Sequence, residues 1–269
     1  MKLTAAVLSL AVAASASCIR HARRADGVVE TNSYNYTEMD GPLNWYGLDP
    51  EANSACATGK HQSPIVLDSQ DIDYVTPGSL KFDIPKADYA EFENLGSGLE
   101  VVLTNGSLTV ANKSLPLAQF HFHTPSEHRV NDEYYPMEVH FVFQNEAKDT
   151  AVVGFFFQLS ELGYSVPLFD TIFDRVLEIE EPGAFTHTGK MDFSGLTHHL
   201  YMHGIYQYSG SLTTPPCSED VAWYLSTEPL PLTVQDYNKV KKVLKYNARY
   251  TQNALGEDNL LEVAAKSLN

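Results

Sequence analysis

The chain has 269 residues, and its 34 acidic against 18 basic side chains give a formal net charge of −16 at pH 7. This length suffices for one large domain with a substantial core. The acidic balance argues against nucleic acid and anionic membrane surfaces as partners. The 15 Tyr and 13 Phe, together with frequent β-branched runs, favour a sheet-dominated protein.

The N-terminal residues are typical of a secretory signal. Residues 1–17 combine a basic start, an apolar stretch and a small-residue cleavage region, and they are too short for a membrane span. A buried core helix is the alternative. Residues 18–24 end in Arg23-Arg24, which we interpret as a propeptide with a dibasic processing site, although a solvated basic tail has the same composition. We therefore predict a secreted, extracellular protein whose single folded domain covers residues 25–269.

N-linked glycosylation sequons support secretion. They begin at Asn35, Asn105 and Asn112, and each could carry a glycan at the surface. Apart from Cys18 at the signal boundary, the cysteines are Cys56 and Cys217. An oxidising compartment favours one long-range disulfide between them, with two buried free thiols as the alternative.

Short apolar runs follow an irregular segment at 25–60. The turn residues between them suit antiparallel pairing, and the nearly continuous apolar run Val152–Phe157 predicts burial on both faces. We expect a mainly β (α+β) single domain around a large, mostly antiparallel twisted sheet with a few short peripheral helices. The predicted strands are Leu99–Leu103, Ser107–Val110, Gln119–His123, Glu138–Gln144 and Val152–Gln158.

Two segments predict helices. Ser165 is a candidate N-cap with Pro167 in the first turn, and an apolar stripe at 3.6-residue spacing follows. Thr233 with Asp236 opens the second helix. Periodicity alone assigns no element to residues 247–269. The stripe residues are Phe169, Ile172, Phe173 and Val176 in the first helix, and Tyr237, Val240 and Leu244 in the second.

Three histidines predict a metal site. His121 and His123 lie two residues apart on a predicted strand, so their side chains share a face. His140, from another predicted strand, would complete a tripod of neutral nitrogens with one open position, which is typical of catalytic zinc. Gln119 and Glu138 each precede a ligand by two residues and can accept its second N–H. Paired histidines are also common as hydrogen-bonded core residues, so the spacing alone leaves that alternative open.

Taken together, these motifs resemble the α-class carbonic anhydrases of the secreted eukaryotic type. The similarity runs in order from about Trp45 to Gln252. The motifs that carry it are Gln62-Ser63-Pro64-Ile65, Gln119-Phe120-His121-Phe122-His123, Ser126-Glu127-His128, Glu138-Val139-His140, Gly210-Ser211-Leu212-Thr213-Thr214-Pro215-Pro216-Cys217 and Asn247-Ala248-Arg249.

This resemblance implies zinc-dependent reversible hydration of carbon dioxide to bicarbonate and a proton, by attack of zinc-bound hydroxide. By position, His121, His123 and His140 would bind Zn²⁺, with Gln119 and Glu138 as their acceptors. Thr213 and Glu127 would orient the hydroxide, and the cysteine pairing also fits extracellular members. The substrate would meet Val142, Val152 and Leu212, backed by Trp223, on the apolar side and Thr214 on the polar side.

The sequence departs from the family pattern in places. Ser97 stands where fast members carry a shuttle histidine, and serine is no proton relay near neutral pH. We therefore expect proton export through buffer, water chains or another histidine such as His61. Tyr46 follows Trp45 directly, whereas the family usually has Trp-x-Tyr. Tyr208 is therefore the better match to the family's buried tyrosine. Tyr250 stands where the closing segment usually has proline.

Two other classes of function are alternatives to a carbon dioxide hydratase. A non-catalytic recognition module on the same scaffold typically lacks zinc histidines, which this chain retains. A secreted zinc esterase or peptidase would need polar subsites and shows no His-Glu-x-x-His motif. The oligomeric state stays open, with a homodimer among the alternatives.

Overall fold

The computed structural model describes residues 28–70 and 72–268. The predicted signal peptide and propeptide lie outside the described residues. In the described part of the chain, every helix is too short or too polar to cross a membrane.

Strands dominate the described residues, and the helices are short. The strands, β1 to β15, are Val66–Leu67, Asp73–Val75, Lys81–Asp83, Glu91–Asn94, Leu99–Val102, Ser107–Val110, Lys113–His123, Arg129–Val130, Glu133–Tyr134, Met137–Gln144, Thr150–Leu159, Phe185–His187, Ile205–Gly210, Val221–Ser226 and Leu230–Leu232. The α-helices, α1 to α6, are Trp45–Leu48, Ser54–Thr58, Pro167–Phe173, Ser194–Met202, Val234–Leu244 and Leu260–Ser267, with 3₁₀ turns at Glu38–Asp40 and Val176–Ile179.

One large sheet organises the molecule and confirms the predicted fold class. Its central order is β12-β4-β5-β7-β10-β11-β14-β13-β2, and β15 pairs with β11 while β3 and β6 extend from β7. The pairing is antiparallel except where β11 meets β14 and β15, so the sheet is mixed. A small second sheet has the order β1-β8-β9.

The two faces of the large sheet have different chemistry because side chains alternate along each strand. One face carries the buried aromatics of the main core. On it Phe120 stacks on Phe141 with ring centroids 4.7 Å apart, and Phe82 meets Phe141 edge-on. The helix α3 covers this face through Phe169 and Phe173. The opposite face is therefore left for the polar residues of β7 and β10.

The structure confirms the predicted strands to within a few residues, except that β7 begins at Lys113, six residues before the predicted start. Residues 151–157 are buried on both faces as predicted. The turn at Asn105-Gly106 joins β5 to β6, which do not pair with each other. Both pair with β7 instead.

The first predicted helix begins with a different cap. Pro167 stands in the first turn of α3 as predicted, but the N-cap is Val166, and no side chain caps the helix. The prediction of Ser165 was wrong because its hydroxyl is buried without a hydrogen-bond partner. Val176 lies in the following 3₁₀ turn, although it is buried in the same core.

The second predicted helix begins as expected. Thr233 caps α5 by accepting a hydrogen bond from the backbone N–H of Asp236. In the tail, residues 247–253 have no regular secondary structure, and α6 follows at Leu260–Ser267.

The predicted disulfide is present between Cys56 and Cys217, which are 161 residues apart in sequence. It joins α2 to the loop after β13. Both half-cystines pack with the buried Trp45 in a small apolar cluster, whose rim includes Tyr34 and Tyr36.

Candidate metal centre

The sheet register brings the three histidines together on one face. His121 on β7 lies directly opposite His140 on β10, and His123 lies opposite Glu138. The phenylalanines between them point into the main core on the other face. Strand alternation therefore aims the imidazoles at one point while the interleaved aromatics anchor the strands.

Each imidazole has one nitrogen held by the protein. His121 Nδ1 meets Gln119 Oε1 at 2.9 Å, and His140 Nε2 meets Glu138 Oε1 at 2.7 Å. His123 Nδ1 meets the backbone carbonyl of Asn247 at 2.8 Å. These acceptors leave Nε2 of His121, Nε2 of His123 and Nδ1 of His140 to converge, and the ligand atoms of the three histidines lie within 4.8 Å of one another.

The donor set fits a zinc ion. Nε2 of His123 is buried without a hydrogen-bond partner, which is costly unless the nitrogen binds a ligand. Burial lowers the pKa of His140 to about 4, against an opposite effect of Glu138, and burial and the neighbouring His123 lower the pKa of His121. His121 and His140 are therefore neutral near pH 7, which is the form that binds metal.

Glu138 accepts several buried hydrogen bonds besides the one from His140. Its Oε1 also accepts from His128 Nδ1 at 2.7 Å, and its Oε2 accepts from the backbone N–H groups of Glu127 and His128. Burial alone would raise the pKa of Glu138, but His128 and His140 outweigh it and hold that pKa well below the usual range. An ionised Glu138 fixes the orientation of His140.

A buried chain of hydrogen bonds continues from Glu138. His128 Nε2 accepts from the Tyr208 hydroxyl at 2.6 Å, and that hydroxyl meets Ser63 Oγ at 2.7 Å. Burial raises the pKa of Tyr208 well above its ordinary value, so the phenol stays protonated. Ser63 Oγ in turn accepts from the Ser211 N–H, which links His140 to the loop that carries Thr213.

Thr213 and Glu127 lie beside the histidines. Glu127 Oε1 accepts from the Arg249 N–H at 2.8 Å, and Oε2 lies 3.5 Å from His123 Nε2. Burial raises the pKa of Glu127, against smaller opposite effects of His123, the Arg249 N–H and the Thr213 hydroxyl. The Thr213 side chain is thus hydrogen-bonded to this carboxyl, whose other contact is with His123.

Sequence reasoning missed the roles of Asn247 and Arg249, which it named only as part of a motif. The side chain of Asn247 holds the end of β7 by accepting from the Thr124 N–H and donating to the Phe122 carbonyl. The Arg249 guanidinium is buried and donates to Gln62, to the Ser63 carbonyl and to the Cys56 carbonyl. Only the family motif, and no periodicity or spacing, could have indicated these contacts.

The apolar residues predicted to contact the substrate lie on the row of paired strand residues next to that of His140. Val142 is opposite Val152, which is opposite Trp223, and all three belong to one buried cluster with Leu212. Since Val142 follows His140 by two residues, this row shares the face of the metal centre.

An open cavity leads to His121 and His123. Thr214 and Ser97 line it as the resemblance implied, whereas the lining also includes Tyr34 and Tyr36, which the sequence analysis did not single out. His61 is exposed and is not part of the lining. Tyr46 is 43 % exposed, in keeping with the preference for Tyr208 as the buried tyrosine.

Three converging imidazole nitrogens beside a cavity are typical of the ligand set of a catalytic zinc enzyme. The model of the eukaryotic-type carbonic anhydrase family matches residues 40–260. A carbonic anhydrase from Nostoc sp. is 32% identical over 241 residues, which cover 88% of this chain and 87% of the relative.

Solved structures agree. The fungal α-carbonic anhydrase from Aspergillus oryzae has 70% sequence identity and a TM-score of 0.85, and the match covers 87% of this chain and 99% of that one. The α-carbonic anhydrase from Thermovibrio ammonificans, solved with the inhibitor sulfanilamide, has 34% identity and a TM-score of 0.74, with 84% and 96% covered.

The chain belongs to the eukaryotic-type (α) carbonic anhydrase family. It is a zinc lyase that interconverts carbon dioxide and bicarbonate. The three converging histidines weigh against the recognition module, and the family membership weighs against the peptidase.

Proposed function

We propose that this chain hydrates carbon dioxide outside the cell, with zinc held by His121, His123 and His140. The observation that carries the assignment is the convergence of three imidazole nitrogens. The second nitrogen of each imidazole is held by the protein, and the converging nitrogen of His123 is buried without a hydrogen-bond partner. A structural zinc site would close the fourth position with a protein ligand, whereas here the imidazoles adjoin a cavity.

A bound zinc ion would supply a nucleophile at neutral pH because it lowers the pKa of bound water. Carbonic anhydrases are the standard example of this effect. In our proposal Thr213 donates its hydroxyl hydrogen to Glu127, so that Thr213 Oγ1 is left as an acceptor on the side of the imidazoles. Glu127 is held in position by the Arg249 N–H, which supports this direction of donation. The pair would thereby select the orientation of the attacking oxygen.

The substrate has no charge, and an apolar surface beside the nucleophile suits it. We assign this surface to Val142, Val152 and Leu212, since they form one buried cluster on the metal-centre face. Thr214 lines the polar side of the cavity, where it would place bicarbonate.

Secretion and glycosylation extend the proposal. The disulfide supports an oxidising compartment. Asn105 and Asn112 are exposed at the two ends of β6, which favours them as glycan sites. Asn35 is half-buried and accepts from the Thr37 N–H, so we expect lower occupancy there. Mass spectrometry of chain secreted by a eukaryotic host, with and without removal of N-glycans, measures the occupancy of each sequon.

The central experiment measures carbon dioxide hydration by stopped flow on the purified mature chain. We expect activity to fall to background when zinc is stripped and to return when zinc is restored, because zinc supplies the nucleophile in the proposed reaction. His123→Ala should lower both bound zinc and activity, with His198→Ala as the control, since His198 lies outside the site. Activity that survives zinc removal would contradict the proposal.

A further inference from the structure

The C-terminal end of α4 carries a pair of histidines that the hydration reaction does not use. His199 lies in the last turn of the helix, and His203 is its C-cap residue, whose backbone N–H donates to the His199 carbonyl. Residues four apart in such a turn lie on the same side of the helix. Leu196 and Leu200 of α4 are buried in the main core, which lies on the opposite face of the large sheet from the metal centre. The histidine pair is therefore separate from the three zinc-binding histidines.

The imidazoles of this pair lie side by side. Their ring centroids are 4.5 Å apart, and the ring planes are inclined by 44°. The three imidazoles of the metal centre have centroid separations of 4.6, 5.0 and 5.2 Å. The pair thus has the spacing that lets one nitrogen from each ring bind the same ion. Both residues are only half-buried, so an ion that carries water ligands can reach them from solvent.

The His199 ring is fixed by contacts at one of its nitrogens. Nε2 lies 2.9 Å from Ser226 Oγ and 2.9 Å from the backbone carbonyl of Glu228. Because a carbonyl can only accept, Nε2 carries the hydrogen. Burial lowers the pKa of His199, and His203 adds to this effect against the opposite effect of Glu228, so the ring is neutral near pH 7. The lone pair of His199 is therefore on Nδ1.

This arrangement is the one that a metal-binding histidine normally has. Its second N–H donates to a carbonyl or carboxylate, which fixes the tautomer and the orientation of the ring. In the metal centre, the carbonyl of Asn247 holds His123 in the same way. Within residues 28–70 and 72–268, no hydrogen bond is made to Nδ1 of His199 or to the ring of His203. The nitrogens needed for a shared ion are therefore available.

The electrostatic surroundings favour a cation at this position. The carbonyl groups at the C-terminal end of a helix attract positive charge. The charge of the exposed Glu228 carboxylate also acts on His199. Two imidazoles with the other positions left to water suit a transition metal, and Cu²⁺ binds nitrogen ligands most tightly among the common divalent ions. Ca²⁺ and Mg²⁺ prefer oxygen ligands and do not fit.

We propose that His199 and His203 form a second metal-binding site, which takes one divalent transition-metal ion and holds Cu²⁺ most tightly. The ion binds Nδ1 of His199 and one ring nitrogen of His203, and water completes its coordination. This site is independent of carbon dioxide hydration, because it lies across the sheet from the metal centre.

The test is a titration of the zinc-loaded chain with Cu²⁺, followed by electron paramagnetic resonance. We expect one equivalent of Cu²⁺ whose pulsed spectrum contains the signals of two imidazoles. His203→Ala should abolish the two-imidazole signal, because one of the two protein ligands is lost. His198→Ala is the matched control, since His198 is an exposed histidine on the same helix, and it should keep the signal. Excess Ni²⁺ should compete for the site, whereas excess Ca²⁺ should not.

Zinc content, hydration activity and melting temperature verify that each variant is folded with its metal centre loaded. A two-imidazole signal that persists in His203→Ala would overturn the proposal. An equal loss in His198→Ala would overturn it as well, because binding would then involve exposed histidines in general. Uptake of Cu²⁺ only at the expense of bound zinc would place the ion in the metal centre and would equally contradict the proposal.

Discussion

At the scale of single residues, the metal centre depends on which nitrogen of each imidazole is held. Gln119 and Glu138, both predicted as acceptors, hold His121 and His140. The acceptor for His123 is a backbone carbonyl, that of Asn247. Every residue has a backbone carbonyl, so the sequence does not indicate which carbonyl accepts from His123. Neighbouring polar side chains are therefore predictable, whereas a distant backbone acceptor is not.

The pairing of Thr213 with Glu127 can be tested with isosteric variants. Thr213→Val keeps the shape and removes the hydroxyl, and we expect kcat/KM to fall about a hundredfold because the acceptor that orients the attacking oxygen is lost. Zinc content should stay at the parent value. Stopped-flow hydration and metal analysis measure both quantities.

The control for this prediction is Thr213→Ser, which retains the hydroxyl and should keep most of the activity. Equal activities for Thr213→Val and the parent chain would exclude an orienting role for Thr213.

At the scale of elements, the site is a product of strand register. Gly154 on β11 lies opposite His140 and is paired with Leu225 on β14. A Cβ at Gly154 would lie 3.0 Å from Leu225 Cδ2 and 3.5 Å from His140 Cδ2. A Cβ at this position would therefore be in ordinary contact with the imidazole but would require Leu225 to shift by a few tenths of an ångström.

Gly154→Ala should therefore destabilise the fold by about 1–3 kcal/mol through overpacking and weaken zinc binding through His140. Urea unfolding and zinc titration measure the two effects. Leu225→Ala in the same chain should recover part of the loss, since it removes the nearest contact. Gly195→Ala is the control, because a Cβ there meets no atom within 4 Å. A neutral Gly154→Ala would refute the packing argument.

The cap of α5 gives a second prediction for an element. Thr233 Oγ1 accepts from the Asp236 N–H at 3.0 Å and donates to the Asp236 carboxylate at 2.7 Å. Thr233→Ala should lower the free energy of unfolding by about 1 kcal/mol, because one helix N–H loses its partner. Thr233→Ser should retain most of the stability. Denaturant unfolding of both variants checks this, and equal losses would rule out capping as the cause.

At the scale of the whole molecule, the disulfide ties together parts that shape the cavity. Cys217 follows the loop that carries Thr213 and Thr214, and its N–H donates to the Thr214 carbonyl at 2.8 Å. Cys56 packs with Trp45, on which Tyr34 packs edge-on at 5.5 Å. The covalent link thus joins the Thr213 loop to the aromatic cluster at the rim of the cavity.

Replacing both half-cystines by alanine should lower the free energy of unfolding by about 2–5 kcal/mol, since a long loop of the unfolded chain is no longer constrained. Guanidinium unfolding of the double variant measures the loss, with the parent chain under reducing conditions as the control. A stability equal to that of the oxidised parent would show that the link adds nothing to the fold.

The sequence alone determined what depends on short-range geometry. Alternation along a strand placed His121 and His123 on one face with phenylalanines behind them, and the cap at Thr233 follows from spacing of three residues. One local pattern gave a wrong prediction, since the N-cap of α3 is Val166 and not Ser165. Tertiary structure alone decided the parallel pairing of β11, the carbonyl of Asn247 beside His123, and the approach of Tyr34, Tyr36 and Glu100 to the cavity. These contacts join residues far apart along the chain, and their positions depend on the path of the whole backbone rather than on any local preference.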